Sequence, residues 1–458
     1  MVSKRAVPMR KLSMDKRLTT FEEVALGYTE EEALEEAKRC LKCKLMPCSR
    51  LCPLNIEVPE FVKCIERREY EKGLNIILKA NPFPAITGRV CPQEVLCQKE
   101  CTLRKLGDPL AIGRLERFLG DYQIENNIMN LNVPEKVRGS VAVVGSGPAG
   151  LMGAVELRKL GYEVTIFEAL HEVGGVMVYG IPEFRLPRRV LRFYVDYVKK
   201  LGVRIEVDVV VGRTYTIDEL LREYDAVLLA TGAGTPKFLG IPGEELNGVY
   251  SANEFLIRIN LMKAYRFPEY DTPIKLGKRI AVIGGGNTAM DVSRIALRLG
   301  AEEVIVLYRR TEVEMPARRE EVENAKEEGV KFMFLTQPIA LIGDEKGWIR
   351  KIKCIRMRLG EPDASGRRRP IPIPGSEFDV EVDNVIIAIG AEVNKLIQRT
   401  TPGLKVDKRG HVIVDKYGRT SIKRVYAAGD VVTGAATVIE ALAAAKTVAH
   451  TIHRDLSG

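Results

Sequence analysis

Only four histidines occur among 458 residues. They offer no Ser-His-Asp constellation, so hydrolysis through an activated serine has no support. No run of about 18 apolar residues is present, the length a helix needs to span a bilayer, and no membrane partner is expected. The first twenty residues carry Lys4, Arg5, Arg10, Lys11, Lys16 and Arg17 but no apolar core or small-residue cleavage site, so a secretory signal is not expected. A strong excess of one charge is also missing. Seventy basic residues face 61 acidic ones for a formal +9, largely interspersed, with Arg367, Arg368 and Arg369 as the exception. That pattern reads as a solvated surface and not as a nucleic-acid footprint. The chain is long enough for several domains, and it is expected in the cytoplasm.

What the chain does have is a concentration of sulfur. Eight of its nine cysteines lie between Cys40 and Cys101, and only Cys354 is elsewhere. A reducing compartment disfavours disulfides, so such a cluster points to metal or redox chemistry. Zinc would favour paired C-x2-C motifs, which are absent. The run Cys40-x2-Cys43-x4-Cys48-x3-Cys52-Pro53 instead resembles the ferredoxin pattern, in which the cysteine before proline reaches across to a second cluster. On that pattern Cys40, Cys43 and Cys48 begin one [4Fe-4S] cluster, and Cys52 joins Cys91, Cys97 and Cys101 on another. The first cluster is then one ligand short. Cys64 and Cys354 sit in apolar-periodic contexts and are expected to be packed thiols. Thr29 followed by Glu32 is a capping-box signature, and the surrounding segments have helical spacing.

Beyond Pro134 the pattern changes. A β-rich run feeds Gly145-x-Gly147-x-x-Gly150, a helix follows, and a second strand ends at Glu168. This is the dinucleotide fingerprint in its proper strand-to-helix setting, with an acid about 20 residues on to receive a ribose 2′-hydroxyl. A second copy runs through Gly284, Gly286, Asn287, Thr288 and Ala289. Where the first copy has Glu168, the second has Tyr308-Arg309-Arg310, and guanidinium groups there suit the 2′-phosphate of NADPH. Arg318 and Arg319 could serve the same phosphate or form a solvated helix face. Short apolar runs at 225–234, 383–390 and 424–432 read as strands of the first nucleotide-binding unit, so the second unit is expected to be inserted into it.

Together with PAITGRVCPQE (84–94), HEVGGVMVYGIPEFRLP (171–187), ATGAGTPK (230–237), GGGNTAMD (284–291) and AAGD (427–430), the order of motifs resembles the small (β) subunit of glutamate synthase. It is also similar to the N-terminal half of dihydropyrimidine dehydrogenase and to the large subunit of NADH-dependent ferredoxin:NADP oxidoreductase, or sulfide dehydrogenase. The resemblance implies that Glu116, in AIGRLERF, completes the first cluster. It implies FAD against Gly145, Gly147, Ala149, Gly150, Glu168 and Gly175, closed over by Thr231, Gly232, Gly429 and Asp430. Thr437 and Val438 would then face the flavin ring at a helix start. One departure is the segment EALAAAKT after AATVI, where the family carries a glycine-containing helix.

The expected protein is thus α/β, an N-terminal helical two-cluster iron-sulfur domain (1–138) followed by two nested Rossmann-like dinucleotide-binding domains. FAD would occupy residues 139–252 and 383–458, and NADPH the inserted residues 253–382. The resemblance implies an oxidoreductase subunit passing electrons between NADP(H) and a partner. That partner would be a glutamate synthase large subunit, or alternatively a second flavoprotein with ferredoxin in an electron-bifurcating enzyme. The chain lacks an N-terminal nucleophilic cysteine and an amidotransferase-sized region, so it is not expected to make glutamate alone. Association with copies of itself is left open.

Overall fold

The computed structural model describes residues 3–363 and 366–458. Up to Glu125 the chain is helical. Thr29 caps Glu30–Lys38 with both arms of the capping box, and three glutamates occupy the first turn, where the helix dipole favours them. Helices Val58–Glu66, Pro84–Val90 and Ile112–Glu125 turn Phe61, Ile65, Ile86, Leu115 and Leu119 into a shared core. Two glycines set how closely the last two helices approach. A Cβ on Gly88 would lie 2.6 Å from the Arg117 backbone nitrogen, and one on Gly120 would collide with the backbone of Ala85. The helices therefore touch backbone to backbone, and the side chain of Glu116 is carried to Thr87, one turn before Cys91.

The first nucleotide-binding unit has a five-stranded parallel sheet in the order Val425–Ala427, Ala226–Leu229, Ser140–Val144, Glu163–Phe167, Arg204–Glu206. Its central strands are buried on both faces, which is why they read as unbroken apolar runs. The second unit repeats the plan as Val249–Ser251, Asn384–Ile387, Arg279–Ile283, Glu303–Tyr308, Lys331–Phe334, again all parallel.

One expectation is corrected here. Asn384–Ile387 does not return to the first sheet; Val385 pairs with Val249 and Ala281. Two strands of the second sheet, Val249–Ser251 and Asn384–Ile387, thus lie outside the expected limits of 253 and 382. A short, fully buried parallel strand has the same apolar signature in either sheet, so its pairing was not legible. Val425–Ala427 does return, beside Ala226–Leu229, so the second unit is nested within the first. The outgoing and returning chains pair once between the units, Thr235–Pro236 with Ala391–Glu392. A separate antiparallel sheet is built on the long strand Ile349–Pro362.

Candidate nucleotide and metal-cluster sites

In a parallel sheet the strands all end on one edge, where ligands bind. In the first unit that edge gathers the turn after Val144, Glu168 after Phe167, Thr231 and Gly232 after Leu229, and Gly429 and Asp430 after Ala427. Gly145 has φ +102°, and a Cβ there would lie 2.5 Å from the Ala230 carbonyl oxygen. A Cβ on Gly150 would collide with the Gly145 carbonyl, so the third glycine lets helix Pro148–Lys159 sit on the turn. Gly147 differs: its Cβ would meet nothing within 4 Å. The open space over the helix N-terminus is where a pyrophosphate fits. Gly175, with φ +54°, backs onto Gly147; its Cβ would lie 2.7 Å from the Gly147 Cα. Ala149 is buried beneath the turn.

Glu168 is buried and accepts from the Ser146 backbone at 2.9 Å and from the Leu170 backbone at 2.9 Å. An ionised carboxylate has about four acceptor sites, so capacity for a ribose hydroxyl remains. Asp430 follows Gly429, whose φ is +77°, and accepts from the Ala436 backbone at 3.3 Å. Burial pushes its carboxyl up to about 6. Thr437 caps the last helix, Val438–Ser457, through a capping box with Glu440, which occupies its hydroxyl. The N-terminus of a 20-residue helix nonetheless points out beside Val438.

The second unit repeats the turn. Gly284 has φ +145°, and its Cβ would collide with the Ala388 carbonyl; Gly286, like Gly147, has open space within 4 Å. Ala289 is fully buried in the third position, with half-buried Asn287 and Thr288 before it on helix Asn287–Arg298. The four arginines considered for the 2′-phosphate separate, and Arg319 is exposed. Arg309 is exposed, with no ion pair or side-chain hydrogen bond among the described residues. Arg310 is buried, donating to Asp363 at 2.8 Å and to the Arg368 carbonyl at 2.8 Å. Arg318 is also buried: it donates to the Arg89 carbonyl at 3.0 Å and pairs with Glu320 at 3.0 Å and Glu94 at 3.4 Å. Arg310 and Arg318 are therefore engaged by the protein, against expectation. Composition showed their charge but not the carboxylates folded against them.

All nine cysteines are free, and seven of the eight in the helical region, all but Cys64, fall into two groups that differ from the expected ones. The Cys91 thiol is acted on by Glu116, Cys97 and Cys52, and that of Cys97 by Glu116, Cys52 and Cys48. The Cys40 thiol is acted on by Cys101 and Cys43, and that of Cys48 by Cys40 and Cys101. Glu116 and Cys101 have thus exchanged places relative to the sequence reading. The reason is the glycine-mediated helix contact, which carries Glu116 to Cys91. Cys101, at the N-terminus of the short helix Thr102–Lys105, turns away with Thr102, whose hydroxyl lies 3.2 Å from Cys43 Sγ.

The inner group is the drier. Burial pushes Cys91 and Cys97 well above the usual thiol range, unlike an exposed, acidic redox cysteine. Glu116 is pushed up to about 7 by burial, opposed by hydrogen bonds from Thr87 at 2.5 Å and Asn81 at 3.0 Å. Among the described residues, no three His, Cys, Asp or Glu side chains are drawn in tightly enough to hold one metal ion. Soft sulfur donors in two groups, one with a carboxylate, suit iron-sulfur clusters by donor chemistry. Cys354 is buried in an apolar cluster and Cys64 is buried on helix Val58–Glu66, both outside the two groups.

Sequence reasoning missed the ion pairs that hold the second unit in place. Arg185 donates to Asp291 at 2.9 and 2.7 Å, both buried. Glu328 receives Arg17, Arg294 and Arg298, and Arg294 and Arg298 also cover the Phe184 ring at 4.5 and 4.2 Å. Partners up to 311 residues apart leave no local signal.

The family model described as pyridine nucleotide-disulphide oxidoreductase matches residues 139–445. The model described as dihydropyrimidine dehydrogenase domain II, 4Fe-4S cluster, matches residues 17–128. The glutamate synthase [NADPH] small chain of Halomonas elongata is 36% identical, covering 93% of this chain and 91% of that protein. The NADP(+)-dependent formate dehydrogenase subunit beta of Moorella thermoacetica is 40% identical over 90% of this chain, which spans 60% of its length. Among solved structures, Mycobacterium tuberculosis FprA in complex with NADPH shares the fold, with TM-score 0.60 and 23% identity over 70% of this chain and 85% of that one. No helix among the described residues is long and apolar enough to cross a membrane.

Proposed function

Because the chain belongs to the pyridine nucleotide-disulphide oxidoreductase family, and within it to the relatives of the glutamate synthase small chain, we propose that it is an FAD- and iron-sulfur-dependent subunit exchanging electrons between NADP(H) and a partner protein. The observation that carries this reading is the pairing of two open glycine turns with two groups of free cysteines in one chain. Bound at these sites, NADPH and FAD supply hydride transfer and the clusters supply one-electron steps.

The chain's own residues have distinct tasks. Gly147 and Gly286 leave room for phosphates at helix N-termini. Glu168 holds a ribose, and Arg309 discriminates for the 2′-phosphate because its exposed guanidinium follows the second strand, where the first unit has Glu168. Arg310 fixes the neighbouring antiparallel sheet. Cys40, Cys43, Cys48 and Cys101 hold an outer [4Fe-4S] cluster, and Cys52, Cys91, Cys97 and Glu116 an inner one. Thr87 and Asn81 orient the Glu116 carboxylate, as outer partners of a ligand do.

The partner is a glutamate synthase large subunit on the first reading. A second reading keeps another flavoprotein or ferredoxin as the acceptor; the likeness to an NADP(+)-dependent formate dehydrogenase subunit supports a partner other than a glutamate synthase large subunit. Free, clustered thiols support a reducing, cytoplasmic setting. Purified anaerobically, the chain is expected to carry FAD and roughly eight irons, with NADPH bleaching the flavin far faster than NADH. Zinc in place of iron, or no flavin, overturns the reading. Glu116→Ala is expected to alter the electron paramagnetic resonance signal of one cluster and leave the other unchanged.

A further inference from the structure

Arg318 does not reach toward a nucleotide, yet it is tied to both candidate sites. Its backbone nitrogen donates to Asn287 Oδ1 at 2.9 Å, and the preceding Ala317 nitrogen donates to the Gly285 carbonyl at 3.2 Å. Gly285 and Asn287 flank Gly286, so residues 317 and 318 hang from the second glycine turn on both sides. The Arg318 side chain points the other way. It donates to the carbonyl of Arg89, two residues before Cys91, and lies beside Glu94, whose carboxylate also accepts from the Arg319 backbone at 3.2 Å. The buried Nε has no hydrogen-bond partner among the described residues.

We propose that Arg318 is a positioning residue that couples nucleotide occupancy of the second glycine turn to the reduction potential of the inner cluster. The inference rests on the reading of Cys91 as a ligand and of Gly284–Ala289 as the NADP(H) turn. A reduced cluster carries one more negative charge, which a fixed buried guanidinium stabilises. Phosphate arriving at the turn acts on Asn287, and through it on the strap that holds Arg318. Linkage then requires the reverse effect as well: the redox state of the cluster changes nucleotide affinity by the same factor.

The test is a redox titration of the full, cluster-loaded chain followed by electron paramagnetic resonance, with and without 2′,5′-ADP, which carries the phosphates but accepts no hydride. Arg318→Met is expected to lower the midpoint of one cluster, and Arg318→Lys to restore it. The exposed Arg319→Met, losing the same charge one residue away, is expected to leave it unchanged. In the native chain 2′,5′-ADP shifts that midpoint, and its Kd differs between oxidised and reduced protein by the matching factor; both effects vanish in Arg318→Met. An unaltered midpoint in Arg318→Met, or an equal 2′,5′-ADP shift in both proteins, overturns the proposal. If Arg318→Met does not fold, Glu94→Gln provides the test in the opposite sense, by raising the same midpoint. Absence of any cluster signal in the native chain would instead overturn the reading beneath it.

Discussion

The two nucleotide-binding units share strand order, parallel pairing and the geometry of the glycine turn, but they are attached to the helical region by opposite means. One apolar core runs unbroken from Phe61, Ile65 and Leu115 through Leu151 and Val155 to Tyr194 and Ile452, so the first unit and the helical region fold as one body. The core of the second unit draws Val24 and Phe184 from outside. Much of the rest of its attachment is charged: Arg17 with Glu328, Arg185 with Asp291 and Glu321, Arg318 with Glu94. Apolar burial is strong but non-directional. Buried ion pairs add little net stability, yet they penalise any arrangement that leaves a charge unpaired. A unit that must present a nucleotide to a flavin at one angle gains from the second kind of contact.

The comparison can be broken most sharply at the matched glycines. Gly147→Ala and Gly286→Ala add a methyl group that meets nothing within 4 Å, so both chains are expected to melt like the native one. The first should lose FAD, and the second should weaken NADPH binding about ten- to a hundredfold with flavin retained; flavin content and KM read the difference. Next in size is Arg185→Met, which strands Asp291 in the interface. A cost of about 3 kcal/mol is expected, read as a lower Tm. Removing Asp291 as well should cost less than the single change, because the carboxylate left behind, Glu321, keeps its pair with Arg294.

Acid probes the same interface. The arginines around Glu328 hold its carboxyl down at about 2, below its unfolded value near 4.3. Its stabilising effect is thus complete above the unfolded pKa and is lost as pH falls from about 5 toward 2, on the order of 3 kcal/mol. A melting series over that range should show it, and Glu328→Gln should flatten the response. The smallest effect sharpens the chemical difference between the units: Arg309→Ala should reduce the preference for NADPH over NADH about tenfold through loss of one charge-assisted contact, measured as the ratio of kcat/KM.

Much of the plan could be read before any fold was seen. The glycine turns, the acid at 168, the guanidinium at 309, the capping box at Thr29 and the eight clustered sulfurs are local patterns, set by residues a few positions apart. Their chemistry depends on backbone geometry that nearby side chains dictate. Four matters were not local. Asn384–Ile387 joined the second sheet, Glu116 and Cys101 exchanged partners, and Arg310 and Arg318 turned inward to carboxylates. The attachment of the second unit rests on pairs hundreds of residues apart. By itself the sequence determined which chemical groups the protein possesses and the turns that display them. Only the tertiary structure decided which of those groups meet, because contact between distant residues is settled by how glycine-thinned helices and buried sheets pack, and spacing along a chain does not encode that distance.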